Sequence, residues 1–207
     1  YGADALRFTL TAFAAQGRDV KLSSARVEGY RNFCTKLWNA ARFCEINECK
    51  YDYEFDPLRV KLSLNKWILS KLFETEKNIK VALENYRFND FASSVYQFTR
   101  NIFCDWYIEF AKPYLQGEDE VEKVETRETL GWVLDCILKI MHPITPFITE
   151  ELWQKIDPKR ETSLVLSDWP RLTKKLVNRD IELEVDWIIS LISNIRGLRA
   201  ELNVPSS

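Results

Sequence analysis

The chain has 207 residues, 46% of them hydrophobic, enough to bury a sizeable core without disulfides or a metal. Only 6 glycines and 7 prolines argue against a strand-and-turn architecture and against disorder. A net charge of −2 excludes a uniformly basic nucleic-acid protein, so any polyanion contact must come from a local patch.

Residues 3–16 have the small and apolar content of a packed helix, ended by Gly17, Arg18 and Asp19. A long helix is predicted over 23–48, with Ser23 or Ser24 able to cap it. Tyr51 to Pro57 reads as a polar-aromatic connection, and Leu64, Ile68, Leu72, Ile79 and Leu83 set helical spacing over 62–86. An aromatic-rich helix follows over 89–113, then an acidic loop over 117–128 that leads into a helix from about residue 125 to Met141. His142-Pro143-Ile144-Thr145-Pro146 must break that helix, because each proline lacks an N–H and disfavours helix at the residue before it. A short helix over 147–156, an extended stretch over 162–170 and a last helix over 176–202 complete the chain before Pro205. Long helices, short connections and no β period imply an all-α, antiparallel helix bundle.

The first long helix separates cleanly on a helical wheel. With Arg31 at zero and about 100° per residue, Glu28, Arg31, Asn32, Thr35, Lys36, Asn39 and Arg42 share one arc. Val27, Tyr30, Phe33, Cys34, Leu37, Trp38, Ala40, Ala41 and Cys44 share the other. Phe43 is the exception, an aromatic falling among Lys36, Asn32 and Asn39. A ring on a polar face beside cations is what single-stranded nucleic-acid recognition uses: the ring stacks on an unpaired base while cations meet phosphates. Asn32 and Asn39 have the donor and acceptor groups to read base edges. The competing reading is that Phe43 packs under the following loop. Local charge favours the first: Arg18, Lys21, Arg26, Arg31, Lys36 and Arg42 are opposed only by Asp19 and Glu28.

Several motifs along the chain resemble the valyl-tRNA synthetases, a family of class I aminoacyl-tRNA synthetases. Tyr1-Gly2-Ala3-Asp4-Ala5-Leu6-Arg7-Phe8 resembles the segment that follows the lysine-rich ATP loop in that class. Gly17-Arg18-Asp19-Val20 and the run from Arg26-Val27-Glu28-Gly29-Tyr30-Arg31 to Leu37-Trp38-Asn39-Ala40-Ala41-Arg42-Phe43 are similar to valyl enzymes, whereas isoleucyl and leucyl relatives carry other residues within that run. Phe103-Cys104-Asp105-Trp106-Tyr107-Ile108-Glu109 and the run from His142 to Trp153 agree with it, in the expected order. The resemblance implies a helical bundle that receives the anticodon stem and loop of tRNA(Val). It places Arg42 and Phe43 near the anticodon bases, Lys36, Asn32 and Asn39 on the same surface, and Arg31 near phosphates. It also implies the end of a connector after the catalytic domain at 1–20, the bundle at 21–170, and a linker and helix beginning a C-terminal extension at 171–207. Asp4 and Arg7 are read as structural and stem-facing. The family's catalytic histidine signature, lysine-methionine-serine-lysine-serine loop and editing domain are not in these residues. The parent enzyme would use ATP and Mg²⁺ to attach valine, and this piece, beginning at Tyr1 rather than a methionine, would need no cofactor. The partners expected are tRNA(Val) and the parent's catalytic domain, with no DNA, no membrane and a monomeric state. An isoleucyl-type module and a helical protein–protein scaffold are the alternative readings.

Other constellations read as structural. Asp105 is expected to be a satisfied buried carboxylate, and Asp105 with Glu109 lacks the Glu-x-x-His pairs of a carboxylate-bridged metal bundle. His142 reads as a helix-ending residue, Glu150 and Glu151 favour the positive end of their short helix, and the Trp and Tyr residues of the third helix read as core. Cys34, Cys44, Cys49, Cys104 and Cys136 sit in apolar stretches without a C-x-x-C, which fits reduced, mostly buried thiols of a cytoplasmic protein and argues against zinc.

Overall fold

The computed structural model describes residues 1–14 and 22–204. The expected helix stop at Gly17–Asp19, the charges of Arg18 and Lys21, and Pro205 lie outside them. The helices are α1 (Ala3–Phe13), α2 (Ser24–Ile46), α3 (Ser63–Glu84), α4 (Phe88–Tyr96), α5 (Ile108–Gln116), α6 (Glu120–Met141), α7 (Pro146–Ile156) and α8 (Arg179–Glu201). No strand occurs among the described residues, and the architecture is the expected all-α bundle.

The aromatic-rich helix is not uniform. Between α4 and α5 the residues Gln97–Tyr107 form a π-helical segment, and both junction residues, Gln97 and Ile108, keep right-handed helical angles, so a single rod runs from Phe88 to Gln116. The reason is visible in the spacing. Phe98 and Phe103, and Thr99 and Cys104, are each five apart and all buried. An α-helix would turn such pairs about 140° away from each other, whereas the wider π turn keeps them on one face.

α6 begins at Glu120, earlier than expected, because the Asp119 carboxylate accepts from the backbone N–H groups of Val121 and Glu122 and caps the first turn. The acidic residues that follow therefore lie at the positive end of the helix rather than in a loop. Leu62 offers α3 no side-chain cap, and α6 supplies one: Glu125 accepts from the N–H groups of Lys61 and Leu62 and from Asn65 Nδ2. Asn65 is fully buried and accepts in turn from the Tyr107 hydroxyl at 2.8 Å, so the polar groups at the centre of the bundle are matched.

Phe8 of α1 and Phe33 of α2 enter the same core as Trp67, Leu72, Phe103, Leu134 and Ile137. Gly131 fixes how the chain leaves α2. A Cβ there would lie 2.2 Å from the Lys50 carbonyl oxygen, so only glycine lets the segment after α2 cross α6 this closely. The reversal itself ends in Glu48 at φ 59°, with Cys49 N–H donating back to the Cys44 carbonyl at 2.8 Å.

Asp4 and Arg7 carry the structural part of their expected role. The Asp4 carboxylate accepts from the N–H groups of Phe147 and Ile148 at the start of α7. Arg7 donates to the carbonyls of Pro143 and Ile144. One turn of α1 thus clamps both backbone ends at the α6–α7 break. His142 ends α6, and its Nδ1 lies 2.8 Å from the Thr149 hydroxyl; partial burial lowers its pKa. α8 docks through its first half on α3, and leaves Trp187, Leu191, Ile195, Leu198 and Leu202 exposed along its outer side.

Candidate nucleic-acid interface

The wheel prediction for α2 holds in three dimensions. Val27, Phe33, Cys34, Leu37, Ala40, Ala41 and Cys44 are buried, while Arg31, Asn32, Thr35, Asn39 and Arg42 are exposed. The polar arc is not one uniform surface, because both of its edges meet neighbouring helices.

Along one edge α2 faces the π segment. Lys36 forms an ion pair with Asp105, which corrects the expectation for that carboxylate: Asp105 is exposed rather than buried, and it acts across helices. Phe43 lies on this side, half-buried and packed against the core, so the structure places its ring between the two sequence readings. At the start of the arc Arg31 lies over the Tyr1 ring and donates to Asn32 and Glu28, at 3.2 and 3.5 Å.

Along the other edge α2 meets α7, and here the surface opens into a groove of about 500 Å³. α2 lines it with Trp38, Ala41, Arg42 and Glu45, an i, i+3, i+4, i+7 stripe; α7 contributes Leu152, Lys155 and Ile156, and Cys49, Lys50 and Pro158 close the ends. The Lys155 ammonium lies 4.7 Å from the Trp38 ring centroid, a cation–π contact. Arg42, Glu45 and Lys50 have no side-chain hydrogen bond or ion pair among the described residues. Of the predicted site residues, only Arg42 lines this groove, and Asn39 lies beside it on the open arc.

Trp38, Glu45, Lys50 and Lys155 were not singled out from the sequence. The signal available was the stripe shared by Trp38, Arg42 and Glu45 on one helix edge, but its opposite wall comes from α7, more than a hundred residues later. That wall is fixed from behind. Arg160, after α7, stacks 3.5 Å from the Trp153 ring centroid and pairs with Asp135 at 2.7 Å. Lys139 also pairs with Asp135, at 2.8 Å, and all these side chains except Lys139 are nearly or fully buried. The buried ions fix the path of the chain past Pro158, and with it the position of Lys155 against Trp38.

All five cysteines are free and buried; desolvation pushes the Cys34 and Cys104 thiols up to about 12. They are packing residues rather than nucleophiles. No group of three or more His, Cys, Asp or Glu side chains suited to a metal occurs among the described residues. Nor is any described helix long and apolar enough to cross a membrane.

The fold is that of the helical region of a tRNA synthetase: the LeuRS of Agrobacterium radiobacter K84, solved with tRNA and LeuAMS, superposes with a TM-score of 0.69 over 86% of this chain and 20% of that one, at 17% identity. The family model described as the anticodon-binding domain of tRNA ligase matches residues 65–207, and the chain belongs to that family. Among curated relatives, the valine–tRNA ligase of Caulobacter vibrioides is 50% identical over 209 residues, 100% of this chain and 23% of that protein. The valine–tRNA ligase of Agrobacterium fabrum is 50% identical over 99% of this chain and 22% of its own length, and that of Brucella suis is 47% identical over 100% and 23%. The chain therefore spans less than a quarter of the length of these relatives.

Proposed function

We propose that this chain is the part of a valine–tRNA ligase that docks the anticodon stem and loop of tRNA(Val). The observation that carries the reading is the outer side of α2: Arg42, which has no side-chain partner among the described residues, lines a groove that also gathers Lys50 and Lys155, in a chain whose overall charge is slightly negative. Such a local patch is what phosphate contact requires. Arg31, Asn32, Asn39 and Arg42 offer donors along one helix face, and Lys36 and Phe43 border it. The identity to valine–tRNA ligases across the whole chain favours the valyl over the isoleucyl reading.

In this reading residues 1–20 end the connector from a catalytic domain, 21–170 form the docking bundle, and 171–207 begin a C-terminal extension. ATP, Mg²⁺ and valine are handled by the parent's other domains, in the cytoplasm, and the chain contributes position rather than chemistry. It acts as a monomer that needs no cofactor of its own.

The test is fluorescence-anisotropy binding of tRNA(Val) and of tRNA for isoleucine at two salt concentrations. The expected result is tighter binding of tRNA(Val), weakening steeply as salt rises because phosphate contacts release counterions. Salt-insensitive association, or equal binding of both tRNAs, would count against the assignment.

A further inference from the structure

We propose that the groove between the first half of α6 and the 52–60 connection docks a short basic, amphipathic helix of a partner protein. The groove measures about 650 Å³, and none of its lining residues belongs to α2 or α7. Its apolar part is a ridge on the outer side of α6, where Val121 and Val124, at i and i+3, are 74% and 44% exposed. Phe55 and Val60 line it from the connection; the Phe55 ring lies 5.9 Å from that of Trp132, and Val60 is buried. Both walls are fixed before anything binds. Asp56 accepts from the Leu58 N–H and holds the Pro57–Arg59 turn. Glu125 ties the connection to α6 through the N–H groups of Lys61 and Leu62. A preformed surface loses little entropy when a ligand settles on it.

The charge of the groove names the occupant. Asp52, Glu54, Asp56, Glu120, Glu125 and Glu128 line it, against Arg59 as the one lining cation. Arg59 pairs with Asp56, and Lys123 with Glu120, but the Glu54 and Glu128 side chains have no hydrogen bond or ion pair among the described residues. Burial raises the pKa of Glu128, and the charges of Asp52 and Glu125 add to the rise. Such a surface repels phosphates and gathers cations, so its ligand is a basic protein segment rather than RNA. Lysine or arginine side chains of the partner supply the missing counter-charges while its apolar side packs on Val121 and Val124. An extended segment would find no ladder to join, since no strand edge occurs among the described residues, whereas a helix satisfies its own backbone. From Glu120 to Glu128 α6 rises about 12 Å, so the contact covers a little more than two turns of the partner.

The experiment uses a fluorescein-labelled peptide of about 14 residues, with leucine at i, i+3, i+4 and i+7 positions and lysine elsewhere, and a scrambled peptide of the same composition. Anisotropy with the 207-residue chain should show the ordered peptide binding about fivefold or more tighter than the scramble, weakening as salt rises. Glu54→Lys with Glu128→Lys lowers that affinity about tenfold or more. Val121→Ser with Val124→Ser lowers it about threefold or more and leaves the salt dependence unchanged. The control pair Asp180→Lys with Glu184→Lys makes the same change of charge at exposed positions of α8, and keeps the affinity within about twofold. Thermal melts check the fold of each variant. Should Glu128→Lys lower the melting temperature, Glu54→Lys alone, at an exposed position, carries the test with a loss of about threefold. A scramble that binds as well as the ordered peptide, no binding of either, a groove variant that keeps its affinity, or an α8 control that loses it overturns the assignment. So does a concentration-dependent dimer of the wild-type chain that Glu54→Lys abolishes, since a second copy is then the occupant.

Discussion

The α2–α7 groove and the α3–α8 seam are built from the same kinds of residue and have opposite characters. Both set a tryptophan, carboxylates and cations on the facing sides of two helices. In the seam the facing polar groups pair: Trp67 Nε1 donates to Asp186 at 3.2 Å, Lys71 pairs with the same carboxylate at 2.6 Å, and Glu182 accepts from Ser70 and Arg179. Those contacts hold two helices together. In the groove Arg42, Glu45 and Lys50 have no side-chain partner among the described residues, and Lys155 rests on a ring. Composition does not distinguish a packing seam from the docking surface proposed for α2. The pairing of the charges does, since a group already bonded within the protein has little to offer a ligand, whereas an unmatched one gains its partner only on binding.

The comparison breaks most decisively at Asp135, behind the groove wall. Its side chain is 1% exposed and holds both Arg160 and Lys139. Asp135→Ala removes the nearer counter-ion of the buried Arg160 and leaves it only Asp157, at 3.6 Å, and the expected cost is about 3 kcal/mol of unfolding free energy, read by urea denaturation. A loss of less than about 1 kcal/mol would mean that the ion cluster is not what holds the wall.

Arg42→Ala makes the opposite prediction. Arg42 is exposed and has no side-chain partner among the described residues, so stability should change by no more than about 0.5 kcal/mol. RNA affinity should fall about five- to tenfold, with the salt slope reduced by about one, measured by anisotropy. A variant that melts early with its RNA binding intact would place Arg42 with the seam residues rather than with the receptor surface.

The sequence made the parts of this arrangement legible and the pairings largely invisible. The wheel of α2 separated buried from exposed residues correctly because a 3.6-residue period is a local property, and the two prolines of 142–146 marked the α6–α7 break for the same reason. The π segment leaves no α-helical signal, because five-residue spacings such as Phe98–Phe103 look irregular on an α-helical wheel. The acidic run of the first turn of α6 suits loop and helix equally in sequence, and only the Asp119 cap decides for helix. For the site, Arg42 and Asn39 were legible as exposed polar residues, but Trp38 fell within the apolar arc and its partner Lys155 lies on another helix. The exposure of Asp105 is illegible for a related reason. Its cation is Lys36, 69 residues away, and no local pattern announces that contact.

That ion pair gives the smallest and sharpest test of the distinction between matched and unmatched charge. Lys36 and Asp105 side chains are 34% and 44% exposed, and pairs in such surroundings are worth about 0–1 kcal/mol. Asp105→Asn should therefore leave the melting temperature nearly unchanged. It should also release the Lys36 ammonium from its counter-charge, on the same polar face as Asn39 and Arg42. If pairing within the protein is what withholds a cation from RNA, the variant binds the stem-loop more tightly, by roughly two- to threefold at low salt, and with a salt slope up to about one unit steeper. The gain should vanish in the double variant Asp105→Asn, Lys36→Gln, which removes the freed cation. An Asp105→Asn chain that binds no more tightly than the wild type, with the same slope, would show that Lys36 faces the π segment too closely to reach a phosphate, and would confine the docking surface to the Arg42 side of α2.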